Sequence, residues 1–264
     1  DCNDVYGGTA QNDECGVCDG NDYDLQNHYH CTDLNALQDI LDDNIGVVIT
    51  EVLELVEDED WENHRLTLLT MNNASLTVIP ESITNMSSLA SLSINNNSIT
   101  ALPAGISNLS NLTTLKVANN ELTILPDGLW NLSSLSILHL NNNSLTEIPQ
   151  SLNGLTAIED LDLSNNQLAT LPASIGDLSV ITTLNVSNNT ITGLGLPDGL
   201  WTLSSLTSLN LSNNNISALS EGICDIYNIT LTTLNVDNNC ILENKPSCMS
   251  DYDWSSQDIE NCGE

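Results

Sequence analysis

Lys116, His139 and Asp162 stand 23 residues apart, and Glu159 and Asp160 add two carboxylates beside the last of them. A cation, an imidazole and carboxylates on one recurring position are the residue types of general acid–base chemistry. Nucleophilic catalysis also needs an activated Ser, Thr or Cys and a group that orients its base, and no such constellation accompanies them. There is no GxSxG, no HExxH, no phosphate-binding P-loop and no GxGxxG after a strand. His28, His30 and His64 are scattered, and the HYH run before Cys31 reads as surface rather than as a metal site. No enzyme is expected.

A second candidate chemistry lies at the N-terminus, where Asp1, Asp4, Asp13, Asp19, Asp22 and Asp24 surround Cys2, Cys15 and Cys18. Calcium takes six to eight oxygen ligands, and a disulfide-folded loop carrying these carboxylates supplies several. The DGNDYD run lacks the full spacing of a calcium loop, so a solvated acidic leader is the competing expectation. The eight cysteines form two sets, Cys2, Cys15, Cys18, Cys31 and Cys224, Cys240, Cys248, Cys262, with none between. Even, terminal cysteines predict disulfides and an oxidising compartment, with connectivity left open. The chain opens at Asp1 without Met or an apolar leader, as a mature exported form does, so an extracellular or cell-surface location is expected.

Composition narrows the partners. The 264 residues carry a formal charge of −33, from 36 acids against only Arg65, Lys116 and Lys245. Phosphate binding draws on Lys and Arg, so nucleic acid and anionic membrane surfaces are excluded as partners. No run of about 18 apolar residues spans a bilayer.

The elements that must position these groups are written in the middle of the chain, which repeats itself: SLSINNNSITALP, TLKVANNELTILP, ILHLNNNSLTEIP, DLDLSNNQLATLP and their neighbours. Pro80, Pro103, Pro126, Pro149 and Pro172 follow at 23-residue intervals, and Pro197 comes 25 later through an insertion at 193–195. Alternating apolar residues in LxL predict a short strand that pairs with the same strand of the next turn, and Pro ends the ladder. One turn cannot bury its leucines alone, so stacked neighbours make the core. The recurring Asn97, Asn120, Asn143, Asn166, Asn189, Asn214 and Asn239 are expected to point inward and bond the backbone of adjacent turns. Ala74 holds that position in the first turn.

The LxLxxNxLxxLP pattern over residues 66–242 resembles the 23-residue class of leucine-rich repeats. The resemblance implies an α/β right-handed solenoid of about eight turns, with a parallel sheet on the concave face and disulfide-stabilised caps. The leading Asp/Cys/Gly segment is similar to thrombospondin type 3-like repeats, with Tyr6 where such repeats often carry another cysteine. Four segments are expected: a Cys/Asp/Gly-rich arm at 1–31, an N-terminal cap at 32–63, repeats at 64–239 and a disulfide-closed cap at 240–264. Within the first cap, Leu34, Leu37, Ile40 and Leu41 share one face of a helix predicted to start from Thr32 as N-cap.

Asn73, Asn85, Asn96, Asn108, Asn111, Asn131, Asn142, Asn188, Asn215 and Asn228 are candidate N-glycosylation sites. Asn185 and Asn210 also satisfy the triplet but lie within strands. From 37 Asn and 51 Ser plus Thr, composition alone generates about seven such triplets, fewer than the twelve present. PDGLWNLSSL and PDGLWTLSSL place Trp130 and Trp201 where other turns have Thr84, Ser107, Asn153 and Gly176. Polar residues in that column predict exposed indoles, serving either as lids on nearby leucines or, with Lys116, His139 and Asp162, as contacts for a partner. The expected function is a non-enzymatic secreted building block, a homo-oligomer or filament joined through the N-terminal arm. The alternative is a recognition or adhesion ectodomain holding an extracellular peptide or carbohydrate on the concave face. No cofactor beyond calcium is expected.

Overall fold

The computed structural model describes residues 31–44, 61–62, 65–227, 229–241 and 246–249, in two compact units divided between Leu122 and Thr123. The arm at 1–30, with its six calcium-candidate aspartates and three of its cysteines, lies outside the described residues, as do Cys262, Asn228 and Lys245.

The first unit opens with helix α1, Cys31–Asp43, which begins one residue before the predicted cap at Thr32. Leu34, Leu37, Ile40 and Leu41 are buried on one face, as their spacing requires, and the helix packs against the turn at Glu81–Asn85. Strand β1, Trp61–Glu62, pairs antiparallel with β2, Arg65–Leu66. Strands β3 (Leu68–Thr70), β4 (Ser91–Ser93) and β5 (Thr114–Lys116) then run parallel, with Leu69, Leu92 and Leu115 in register. These leucines have no accessible surface, and neither do Met71, Ile94 and Val117 two residues on, so period-two burial directs both to the core.

The second unit repeats the scheme with β6 (Ile137–His139), β7 (Asp160–Asp162), β8 (Thr183–Asn185), β9 (Ser208–Asn210) and β10 (Thr233–Asn235). All are parallel and in register, neighbour to neighbour. After Pro80, Pro103, Pro126, Pro172 and Pro197 the chain turns through five-residue 3₁₀ helices, for which proline supplies the extended residue before the first turn. The turn after Pro149 has no 3₁₀ helix. Gly154 stands there because its Cα packs directly on the backbone of Trp130 and Asn131, where a Cβ has no room.

The asparagine ladder is built as the pattern demands. Asn189 Oδ1 accepts from Leu168 N at 2.9 Å, while its Nδ2 donates to Leu163 O and Val186 O at 3.0 Å and Ser187 O at 3.2 Å. Asn166, Asn214 and Asn239 repeat these contacts in the second unit, and Asn97 and Asn120 in the first. Each buried amide therefore has both its acceptor and its donors satisfied. The residue before each ladder position has φ between 53° and 58°: Asn73, Asn96, Asn119, Asn142, Asn165, Asn188, Asn213 and Asn238. Asparagine tolerates this left-handed turn better than other side-chain-bearing residues, which explains the NN pairs.

Each end is closed by a polar device. At the front, Asp33 is fully buried and accepts from Arg65 Nε and Nη2, both at 2.9 Å, and from Leu66 N at 2.8 Å. Asn44 does for the first turn what ladder asparagines do elsewhere. Its Oδ1 accepts from Thr77 N and Val78 N, and its Nδ2 donates to Ile40 O and Val78 O. At the back, Cys224 and Cys248 form a disulfide, and the Glu221 carboxylate accepts from Ser247 N and Oγ. Cys240 is also disulfide-bonded.

Candidate functional site

Strand residues either side of each buried leucine face out and form two columns. In the first unit the second column holds Thr70, Ser93 and Lys116, all half-buried. Around them Asn72 Oδ1 accepts from Ser93 Oγ and Asn95 N, and Asn95 Oδ1 from Ala118 N, so these side chains tie neighbouring turns together.

In the second unit the same column holds His139, Asp162, Asn185, Asn210 and Asn235. Asp162 is the register partner of His139, yet the imidazole pairs diagonally instead, with Nε2 3.0 Å from Asp160 Oδ2. Asp162 turns along its own chain, its Oδ1 accepting from Ser164 N at 2.9 Å. The same i to i+2 bond fixes Asn185 to Ser187 N, Asn210 to Ser212 N and Asn235 to Asp237 N. With each Oδ1 held in this Asx turn, the Nδ2 groups of Asn185, Asn210 and Asn235 have no partner among the described residues. They form a row of amide donors on adjacent strands, spaced at roughly the 4.8 Å strand separation.

The preceding column presents Thr183, Ser208 and Thr233, and beside it Thr182, Thr207 and Thr232 donate their hydroxyls to Glu159 O, Thr182 O and Thr207 O of the previous turn. Their oxygens remain acceptors. The face is a regular carpet of donors and acceptors with one imidazole–carboxylate pair at its edge. It can hold a polar ligand.

The indoles depart from expectation. Trp130 and Trp201 are each only 3% exposed. The polar residues in their column reflect the turns that have no Trp; where it occurs, the ring folds under the next turn. The space for a Cβ at Gly222 is filled by the Trp201 ring, and Trp201 Nε1 has no hydrogen-bond partner among the described residues. Of the sequons, Asn73, Asn85, Asn96, Asn108, Asn111, Asn131, Asn142, Asn188 and Asn215 are exposed. Asn185 and Asn210 are half-buried with Oδ1 bonded to the Ser of their own triplets.

Family models for leucine-rich repeats match residues 87–145, 110–168 and 133–191, and a further repeat matches 205–226. These are leucine-rich repeats. Among solved structures, a leucine-rich-repeat protein of Leptospira interrogans is 32% identical with a TM-score of 0.60, over 68% of this chain and 48% of its own. The functional domain of InlJ from Listeria monocytogenes, which includes a cysteine ladder, is 25% identical with a TM-score of 0.63, over 80% of this chain and 44% of its own. The Arabidopsis receptor kinase HAESA, solved with the peptide hormone IDA and the co-receptor SERK1, is 32% identical with a TM-score of 0.59, over 67% and 30%. The chain thus spans half or less of each of these proteins. No curated protein matches the sequence significantly. Among the described residues no helix is long and apolar enough to cross a membrane.

Proposed function

We propose that the protein is a non-enzymatic, extracellular recognition scaffold that holds a polar peptide on the outward sheet face of its second unit. The observation that carries this is the donor row of Asn185, Asn210 and Asn235, whose oxygens are fixed by backbone and whose NH₂ groups are left outward. Peptide carbonyls are their complement, and threonine oxygens alongside accept from peptide N–H groups. The similar structures of a plant peptide hormone receptor with RGF2 and of HAESA with the peptide hormone IDA support the class of ligand.

The substitutions Asn185→Asp, Asn210→Asp and Asn235→Asp together test it, because aspartate keeps the Asx-turn acceptor and exchanges each amide donor for a negatively charged oxygen that repels a peptide carbonyl. Peptides selected from a display library on the native protein are expected to lose affinity at least tenfold on the triple variant. Three donors at about 0.5–1.5 kcal/mol each account for that loss. Selected peptides indifferent to these changes overturn the assignment.

A second reading concerns assembly. The first turn is closed by α1, Asp33 and Asn44, and in this reading the 1–31 arm docks on a neighbouring copy as a filament or layer. Calcium on Asp1, Asp4, Asp13, Asp19, Asp22 and Asp24, and glycans on the exposed sequons, belong to the same proposal. Native mass spectrometry tests all three at once: ions, sugars and multiples are each expected above the 28.4 kDa chain, and multiples are expected to vanish when the arm is removed. A bare monomer refutes the reading.

A further inference from the structure

The Trp130 turn opens a groove of about 270 Å³ on the second unit, away from the strands. In turns without a Trp, the apolar residue before the proline is buried: Ile79, Leu102 and Leu171 are 5–7% exposed. In the two Trp-bearing turns the equivalent Leu125 and Leu196, with Pro126 and Pro197, are half-exposed. At Trp130 the uncovered Leu125 joins the indole, Ile148 and Pro149 as an apolar floor, and Ile124, 67% exposed, stands at the edge. On the rim are Asp127 and Glu147, two exposed carboxylates with no hydrogen bond or ion pair among the described residues.

We infer that this groove receives a lysine or arginine side chain of a partner polypeptide, its aliphatic stem along the floor and its charged head between Asp127 and Glu147. A long basic side chain is the one natural side-chain type that matches both halves of the site: its methylenes bury against apolar surface while its end stays at the polar rim. A wholly apolar occupant strips water from two carboxylates without replacing it, and an acidic one meets their repulsion. Calcium needs six to eight oxygens, which an apolar floor does not provide. Neither Arg65, which is bound to Asp33, nor Lys116 lines the groove. The site is separate from the sheet face and stands independently of the peptide proposed there.

The probe is the pentapeptide acetyl-Gly-Leu-Arg-Leu-Gly-amide, with its citrulline analogue, which keeps the shape and loses the charge. Both are titrated into the full ¹⁵N-labelled chain. The arginine peptide is expected to shift the Trp130 indole N–H and the Leu125 amide saturably, and the citrulline peptide to bind at least tenfold more weakly. The double variant Asp127→Asn/Glu147→Gln is expected to lose tenfold or more. The control Glu121→Gln/Asp177→Asn, which also removes two exposed acids from a net charge of −33, is expected to stay within twofold. Equal losses in the two double variants show attraction by the general acidic field and overturn the site. So do equal binding of the citrulline peptide, shifts confined to the Asn185–Asn235 face, and occupation of the groove by a second copy in the unliganded protein. The sheet-face triple variant is expected to bind the arginine peptide unchanged, which separates failure here from failure there.

Discussion

Replacing Asp33 with alanine is expected to lower the unfolding free energy by about 3–5 kcal/mol, the range for removing one partner of a buried ion pair. Asp33 has no accessible surface, and the Arg65 side chain keeps 20% of its own. The carboxylate satisfies three donors at once, two on the guanidinium and Leu66 N. Without it the buried Leu66 amide loses its acceptor, the Arg65 guanidinium keeps Asn85 O but loses its carboxylate, and helix α1 loses its tie to the start of the repeats. The Asp33→Leu/Arg65→Met double variant is expected to recover most of the loss, because an apolar pair takes away both charges of the buried pair together. Urea midpoints of the two variants decide it. An Asp33→Ala protein within about 1 kcal/mol of native shows that the pair does not hold the cap, since 0–1 kcal/mol is the range of exposed ion pairs.

The repeats were legible because their signal is periodic: the LxL strands, the proline stop and the inward asparagines each recur, and repetition separates pattern from chance. The amphipathic face of α1 was legible for the same reason. Asp33 was not, since a helical wheel assigns an acid to the solvent side and its partner Arg65 lies 32 residues away. Asn44 escaped because it sits past the helix end, outside any repeat, although Ala74 in the ladder column already showed that something else must serve the first turn. The indoles were misplaced by an argument from column composition. Thr84, Ser107, Asn153 and Gly176 occupy the same position, but a ring that large moves its own surroundings: Leu125 and Leu196 are uncovered while Trp130 and Trp201 are hidden. The diagonal His139–Asp160 pair was likewise invisible, because position in a column fixes neighbours across strands and leaves side-chain direction open.

Adjacent asparagines in the NN pairs have separate duties, and the pair Asn188 and Asn189 exposes the difference. Asn188 is exposed with φ 54°, so its side chain matters chiefly for tolerating a left-handed turn. Asn188→Gly is expected to change stability by less than about 0.5 kcal/mol, as exposed positions away from packing usually do. Asn189 is buried and satisfies Leu168 N with its oxygen while donating to Leu163 O, Val186 O and Ser187 O. Asn189→Ala leaves the Leu168 amide without an acceptor, while Leu163 O, Val186 O and Ser187 O each lose one of two donors and keep Asn166 Nδ2, Asn214 Nδ2 and Asn165 N. At about 1–3 kcal/mol for an orphaned buried group, the variant is expected to lose about 3 kcal/mol in all. Because each turn contacts only its neighbours, the damage is expected to appear first as lost hydrogen-exchange protection at Leu168 and along β7 and β8, before global unfolding. Equal effects from the two substitutions, or intact protection at Leu168 in Asn189→Ala, contradict the division of labour. If the division holds, each NN pair couples a turn conformation to a cross-turn bond, and the backbone of one repeat fixes the spacing of the next.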